Sequence, residues 1–528
     1  MLNCIGRELP ESIPGYGAVR PYLGPYPAEA REAARVAARV HLPPRVGKGA
    51  RLSKVVTLDE ALDRIGLGDG MTLSFHHHFR NGDRVTNAVM AAVARRGVKD
   101  LHLAASGLFA CHDPLASLIE EGVVTKLTLS TISKGRIADA ITMGKLQKPA
   151  VLMTHGGRVR AIEAGDLHID VAFIAAPACD EAGNANGRGG AARCGVLSYA
   201  YADARYADWV VLVTDHLEPY PVFPAEIDQA DVDFVVVLDE IGDPDGISFG
   251  PTKITEDPDK LQIARAAAEA VEAAGYLREG MSLQTGAGGI SLAVAQELGR
   301  RMRERGITGG FASGGITAPL VRMLEERLFR ALLDVQCFDR TAIDSIGKNS
   351  DHVPMSASRY ANPNAKGCVV DRLDVMILGA TEVDVAFNVN VITGSDGAIL
   401  SASGGNADCA AGAKLAVVVT KLVKGPYCVV RNAVTTVATP GETIDLLVTD
   451  RGVAVNPRRR DLSQSLRAHG IEPVDIEDLK RLGEREAGAQ KKPRLGRRIV
   501  AVVEYRDGTV LDVVRQIDTE PEKEEHAI

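Results

Sequence analysis

From Leu58 onward, two textures of apolar and polar positions alternate along the chain. Short unbroken apolar runs, such as Val171-Ala172-Phe173-Ile174 and Trp209-Val210-Val211-Leu212-Val213, have no polar residue at every second position. Runs of this kind read as strands buried on both faces, as in a parallel sheet. Longer mixed stretches between them, one opening near Val85 and another near Ile290, read as helices. The alternation predicts α/β units with parallel strands.

The pattern occurs twice. Leu67-Gly68-Asp69-Gly70-Met71-Thr72-Leu73 recurs as Leu277-Arg278-Glu279-Gly280-Met281-Ser282-Leu283. Asp170-Val171-Ala172-Phe173-Ile174 recurs as Asp374-Val375-Met376-Ile377-Leu378, and Trp209 to Thr214 as Leu415 to Thr420. The offsets are about 205–210 residues and the matches keep their order. Two homologous open α/β domains are expected, residues 58–255 and 256–480. Their boundary falls in the segment Pro251 to Asp259, rich in proline, aspartate and lysine. Residues 1–57 read as an N-terminal arm packed over the body, with one short helix from Pro27 to Arg39. Residues 481–528 read as a charged linker, reaching to Arg498, and a β-hairpin tail. Asp507-Gly508 between two apolar runs supplies the hairpin turn.

Two glycine turns stand out: Gln284-Thr285-Gly286-Ala287-Gly288-Gly289 and Ala402-Ser403-Gly404-Gly405-Asn406. Each is expected to end a strand and open a helix, at matching places in the two halves. Without a Cβ, backbone N–H groups can approach a phosphate or the oxyanion of an acyl-transfer intermediate. A dinucleotide fingerprint is excluded, because its third glycine would fall at Ser291 and no acidic residue follows at the right distance. Gly246-Ile247-Ser248-Phe249-Gly250 has nucleophile-elbow spacing, but a polar turn precedes it and Pro251 stands where a helix should begin. In His76-His77-His78 at most the outer two share a side of a strand, and no third ligand lies nearby, so no metal site is expected. Arg80, just past that strand end, is placed to clamp a carboxylate. Thr154-His155-Gly156-Gly157-Arg158 and Cys179 to Gly187, with Asn184 and Asn186, are polar connections. They read either as plain turns or as donors for a polycarboxylate.

Composition narrows the function further. Aromatic residues make up 4% of the 528, with one tryptophan, and net charge is −8, which argues against nucleic acid as the main partner. Eight scattered cysteines without a C-x-x-C pair fit a reduced, cytoplasmic setting. No run of about 18 apolar residues suggests a membrane span.

Taken together, these segments resemble the α subunits of citrate lyase, citrate:acetyl-carrier-protein transferases of the CoA-transferase superfamily. The likeness runs from about Leu58 to Ile517. It is carried by Ser74-Phe75-His76-His77, His155-Gly156-Gly157-Arg158, Asp180 to Gly187, Gln284 to Gly289 and Gly314-Gly315-Ile316-Thr317. Asp334-Val335-Gln336, Phe387 to Asn390, Thr393 to Gly397, Ala402 to Gly405 and Val448-Thr449-Asp450 extend it. The related citramalate lyase α subunits share the pattern, and a stand-alone transferase using free CoA esters or a non-catalytic scaffold are the other readings.

The resemblance implies two CoA-transferase-type α/β domains and exchange of acetyl for citryl on a carrier thiol, through a mixed anhydride. Relatives in the superfamily use a glutamate as covalent nucleophile, but Gly310 to Gly315 holds no carboxylate. Gly404 and Gly405 are the expected oxyanion donors, with Gly288 and Gly289 second. His77, Arg80, Arg158, Asn184, Asn186, Gln284, Thr285, Ser403 and Asn406 are the expected substrate contacts. No covalent cofactor is expected; a carrier (gamma) subunit or acetyl-CoA would bring the thiol. The partners implied are that carrier and a lyase (beta) subunit, in an oligomer.

Overall fold

A computed structural model describes residues 1–25, 53–248, 253–488 and 493–518. The first half is built on a ten-stranded sheet. Its central strands run Ala150–Leu152, Val124–Leu129, Leu101–Ala105, Thr72–Phe75, Val171–Ala175, Trp209–Thr214 and Phe234–Val237, all parallel. The second half repeats that order with His352–Pro354, Leu332–Cys337, Phe311–Ile316, Ser282–Thr285, Val375–Gly379, Leu415–Val419 and Leu446–Thr449. Val171–Ala175 is buried at every position, as is Leu415–Val419, which is why neither shows alternation in sequence.

The sequence repeat is thus a structural repeat. In each half the first strand lies beside the fifth, so successive connections leave in opposite directions. This is the switch point where open α/β sheets leave a crevice at the carboxyl ends of their strands. An aspartate fixes that pairing on both sides. Asp170 Oδ2 accepts from Thr72 N at 2.6 Å, and Asp374 Oδ2 accepts from Ser282 N at 3.1 Å.

The C-terminal tail is more than an appendage. The hairpin of Leu495–Glu504 and Val510–Ile517 extends the first half's sheet, pairing in parallel with Ala150–Leu152. Val502 and Val503 are fully buried there. Part of the expected linker is a helix, Ile476–Ala487, capped by Asp475, whose side chain accepts from Glu477 N. Its charges hid an amphipathic period in which Ile476 and Leu479 face inward. The N-terminal arm does pack on the body. Asn3 Nδ2 donates to Leu511 O at 2.7 Å, Arg7 pairs with Asp512, and Tyr22 meets Tyr505 edge-on at 4.7 Å. The helix expected at Pro27 to Arg39 lies outside the described residues. Helix Pro258–Ala273 opens the second half. All eight cysteines are free thiols, and no described helix is long and apolar enough to cross a membrane.

Candidate active site

The halves meet through the carboxyl ends of their strands. Gln336 Nε2 donates to His77 O at 2.7 Å, and Ser198 Oγ donates to Val335 O at 2.6 Å. His155 N donates to Gly404 O and Gly404 N donates to Ser130 O, both at 2.9 Å. Asp408 accepts from Thr154 Oγ1 and Gly156 N, again at 2.9 Å. A Cβ at Gly156 would fall 2.1 Å from Ala361 O, so only glycine allows this approach.

A cluster of rings occupies the junction. His77 lies 4.4 Å from Tyr199 and 5.6 Å from His155, and His155 lies 4.9 Å from Tyr199, between ring centroids. His77 Nδ1 meets Ser106 Oγ at 2.7 Å and His155 Nδ1 meets Ser130 Oγ at 2.9 Å. Ser106 and Ser130 directly follow the strands Leu101–Ala105 and Val124–Leu129, so the sheet itself sets both rings. Burial pushes the His77 imidazole well below its usual pKa, assisted by nearby His155 and Arg80. Burial and Arg158 push His155 down to about 3. Both rings are neutral at pH 7.

From the second half come Tyr360, Gln284 and the Gly404-Gly405 turn. Gln284 Nε2 donates to the Tyr360 hydroxyl at 2.6 Å, while Gln284 Oε1 accepts from Ser313 Oγ at 3.3 Å. A Cβ on Gly405 would stand 2.6 Å from that hydroxyl and 3.5 Å from His155 Cδ2. Gly404 has φ +57°, a left-handed conformation that favours glycine.

Not every expected residue joins this cluster with a free group. His77, Gln284, Gly404 and Gly405 are brought together. Gly404 cannot be the leading oxyanion donor in this conformation, because its N–H is already given to Ser130; the Gly405 N–H has no acceptor among the described residues. Gly288 precedes helix Gly289–Arg305, and a Cβ there would meet nothing within 4 Å, whereas Gly289 packs against the backbone of Lys253 and Thr255. Thr285 and Ser403 carry buried hydroxyls without partners among the described residues, as does Thr317. Asn406 opens helix Asn406–Gly412 beside them.

Arg158 is occupied elsewhere. Its guanidinium clasps Asp203 with two bonds of 2.9 and 2.7 Å and also reaches Ser74 Oγ and Ala104 O. Burial raises the Asp203 carboxyl, but Arg158 and His76 more than offset this and hold it below its usual range. Asn184 and Asn186 are likewise spent on local turns. Asn184 Nδ2 donates to Asp180 Oδ2 at 2.9 Å, and Asn186 Oδ1 accepts from Arg188 N at 2.9 Å.

Arg80 is the contrasting cation. It is 8% exposed, donates through Nη1 to Ile247 O at 2.8 Å, and lies 4.7 Å from the Phe338 ring centroid. No carboxylate pairs with it among the described residues. Burial lowers its pKa to about 10, so it remains charged at pH 7.

The glycine turns also need a correction of place. Both lie in the second half. The first-half equivalent of Gly286 to Gly289 is His76-His77-His78-Phe79, and that of Gly405 is Tyr199, each one residue before a helix. Nor does a strand lead into Gly404; the turn follows an irregular segment and touches Thr154 by an isolated bridge. His76 and His78 do share a side, with rings stacked 6.3 Å apart. The His/carboxylate group with metal-ligand spacing among the described residues is instead His168, Asp170 and Asp208, at the opposite, amino ends of the strands.

Residues 52–517 match the family described as citrate lyase, alpha subunit (CitF). The chain belongs to the citrate lyase alpha-subunit family. The citrate lyase alpha chains of Klebsiella pneumoniae and Escherichia coli are each 48% identical to it, over 87% of this chain and 91% and 90% of theirs. A crystal structure described as the alfa subunit of citrate lyase from Streptococcus mutans, in complex with citrate, superposes with TM-score 0.92. It is 43% identical and covers 98% of this chain and 100% of that one. The alpha subunit of a malonate decarboxylase from Acinetobacter baumannii, 15% identical over 83% of this chain and 93% of its own, has the same fold at TM-score 0.61.

His155, Tyr199 and Tyr360 are the site residues that sequence reasoning missed. A signal for the first existed. The strands ending at Ala105, Leu129 and Leu152 are followed by Ser106, Ser130 and Thr154, small hydroxyl residues at the edge where ligands bind.

Proposed function

We propose that this alpha subunit exchanges acetyl for citryl on the thiol of a carrier subunit, giving citryl-carrier and acetate. Family membership and the citrate described in the Streptococcus mutans relative support the substrate. The observation that carries the reading is Arg80. A buried guanidinium without a carboxylate is costly, and an anionic ligand is the natural partner.

In this reading a citrate carboxylate, anchored through its companions by Arg80 and by the neutral His77 Nε2–H, attacks the acetyl thioester carbonyl. A C–O bond forms, the C–S bond breaks, and the thiolate leaves behind a citryl–acetyl anhydride. The thiolate then attacks the citryl carbonyl and acetate departs. Each step develops an oxyanion, for which the Gly405 N–H is the donor at hand, and the Gly288-Gly289 turn is the second choice. In this reading Thr285, Ser403 and Asn406 supply neutral hydrogen bonds. Both substrates are held together, so much of the acceleration comes from positioning.

A covalent glutamyl thioester has no support in the segment where relatives carry that glutamate. Strand Phe311–Ile316 offers Ser313, which is bound to Gln284, and Thr317 follows it. Asp408 is fully buried and held by Thr154 and Gly156. The thiol arm comes from the carrier (gamma) subunit or from acetyl-CoA, and citryl-carrier passes to the lyase (beta) subunit.

Thioester exchange with citrate, citramalate and acetate as acceptors tests the assignment, and citrate is expected to be the best. Borohydride added with acetyl-CoA should leave activity intact, and kinetics should be sequential. Acetyl-CoA-dependent inactivation with a reduced glutamate in the mass spectrum, or exchange indifferent to citrate, would overturn it.

A further inference from the structure

The hydrogen-bond network assigns different tautomers to the two stacked histidines. Ser130 Oγ lies 2.7 Å from Ser106 O, a carbonyl that can only accept, so the Ser130 proton goes there. The same Oγ lies 2.9 Å from His155 Nδ1 and must accept from it. His155 therefore carries its proton on Nδ1 and presents a lone pair on Nε2. At His77 the logic reverses. Ser106 Oγ accepts from His77 N at 3.0 Å, and its own proton is left for Nδ1, 2.7 Å away. His77 then carries its proton on Nε2.

Neither Nε2 has a partner among the described residues. His155 as a whole residue retains some exposure, although its ring lies in the interior. Its Nε2 lies under the glycine turn, 3.9 Å from where a Cβ on Gly404 would be. Its nearest neighbours include the His77 ring, whose centroid lies 5.6 Å away, and the backbone of Gly405, where a Cβ would stand 3.5 Å from His155 Cδ2. His155 Nε2 is the acceptor at this spot.

A carboxylate cannot satisfy a lone pair, since it has no proton to give. A hydroxyl can. Resting on the reading of citrate as substrate, we propose that His155 Nε2 accepts the hydrogen bond of the substrate's hydroxyl and so selects a hydroxy-tricarboxylate over a plain one. The ring stays neutral because it is buried beside Arg158, which keeps the acceptor in place at pH 7. A site built around a substrate hydroxyl rejects the analogue lacking it, because its own polar group is then left unpaired.

The comparison ligand is tricarballylate, which has the carboxylates of citrate without the hydroxyl. Calorimetry on the full chain should show citrate binding roughly 10–100-fold tighter than tricarballylate. In His155→Phe that ratio should collapse, chiefly through weaker citrate binding. A folded His155→Phe variant that keeps the wild-type ratio overturns the proposal. Should that variant not fold, nitrogen-15 NMR of the wild-type histidines decides. The proposal expects an unprotonated Nε2 at His155 whose shift moves with citrate and not with tricarballylate. A protonated Nε2, or equal responses to both ligands, overturns it. Citrate binding that ignores the hydroxyl removes this inference alone, whereas failure of wild type to bind either tricarboxylate removes the functional reading as well.

Discussion

The two halves of this chain share strand order and many individual bonds, so each serves as a control for the other. Asp180 Oδ1 accepts from Ala182, Gly183 and Asn184 N, and Asn184 Nδ2 returns a bond to Oδ2. In the second half Asp384 Oδ1 accepts from Ala386 and Asn388 N, and Asn388 Nδ2 donates to Oδ2 at 3.1 Å. Asn186 and Asn390 each accept from two backbone amides just beyond. A turn whose aspartate–asparagine bonds recur in both copies, with one backbone donor fewer in the second, is scaffold. The halves part where chemistry is expected: histidines after the first strand of one, glycines after that of the other, and Tyr199 in one at the position that Gly405 holds in the other, each just before a helix.

The buried aspartates sharpen the contrast. The helix before the sixth strand carries one in each half, Asp203 in Ala200–Tyr206 and Asp408 in Asn406–Gly412. Asp203 has a two-bond guanidinium partner. Asp408 has only Arg506 Nε at 3.6 Å. Removing Arg158 would take the guanidinium from buried Asp203 and leave it only His76 Nε2 at 3.3 Å and the Ser74 hydroxyl, at a cost of up to roughly 3–5 kcal/mol. Arg158→Met should therefore show the largest loss of stability in chemical denaturation. If the variant unfolds like wild type but binds citrate much more weakly, Arg158 belongs to the ligand after all.

Gly405→Val tests the divergent pair directly. The new side chain would enter the space of the Tyr360 hydroxyl and shift the Gly405 amide. Loss of an oxyanion donor typically lowers turnover by about 10²–10³, and the thermal midpoint should move far less than in Arg158→Met. Exchange near the wild-type rate in a folded variant would transfer the oxyanion role to Gly288 and Gly289.

The shared turn predicts symmetry instead. Asn184→Ala and Asn388→Ala each leave hydrogen-bonding groups of an aspartate turn unsatisfied, with an expected loss of about 1–3 kcal/mol apiece. Neither should alter the preference among acceptors in the exchange assay. A loss of citrate selectivity confined to Asn184→Ala would return that residue to the site.

What was legible in the sequence follows the same division. The repeat and the parallel strands are patterns written in runs of consecutive residues, and the structure contains them; of the glycine turns, only the first follows a strand, and both lie in the second half. The meeting of His155 with Gly404, and of Tyr360 with Gly405, depends on contacts between residues more than 40 positions apart, which no period records. Arg158 looked like a ligand clamp because a free guanidinium and one facing a buried aspartate have the same letter. The linker after residue 480 was misread because a surface helix with one narrow apolar stripe is almost as charged as a coil.

The smallest expected effect is one of slope, and it isolates the weaker aspartate. Burial raises the Asp408 carboxyl to about 6, with Arg506, Gly156 N and Thr154 only partly offsetting it. For an acid whose folded value lies above its unfolded one, near 3.9, the charged form is the costly one. That cost is fully present above the folded value and fades as pH falls through 6 toward 4. Acidification from pH 7 to pH 5 should therefore add stability at this position, opposite in sign to Asp203, whose contribution is present above the unfolded value and is lost only in stronger acid. Asp408→Asn keeps an acceptor for Gly156 N and removes the ionisation. The variant's denaturation midpoint relative to wild type should then fall as pH drops from 7 to 5. A difference that stays constant across this range would mean that Arg506 balances the charge in full, and that the second half holds its aspartate as firmly as the first.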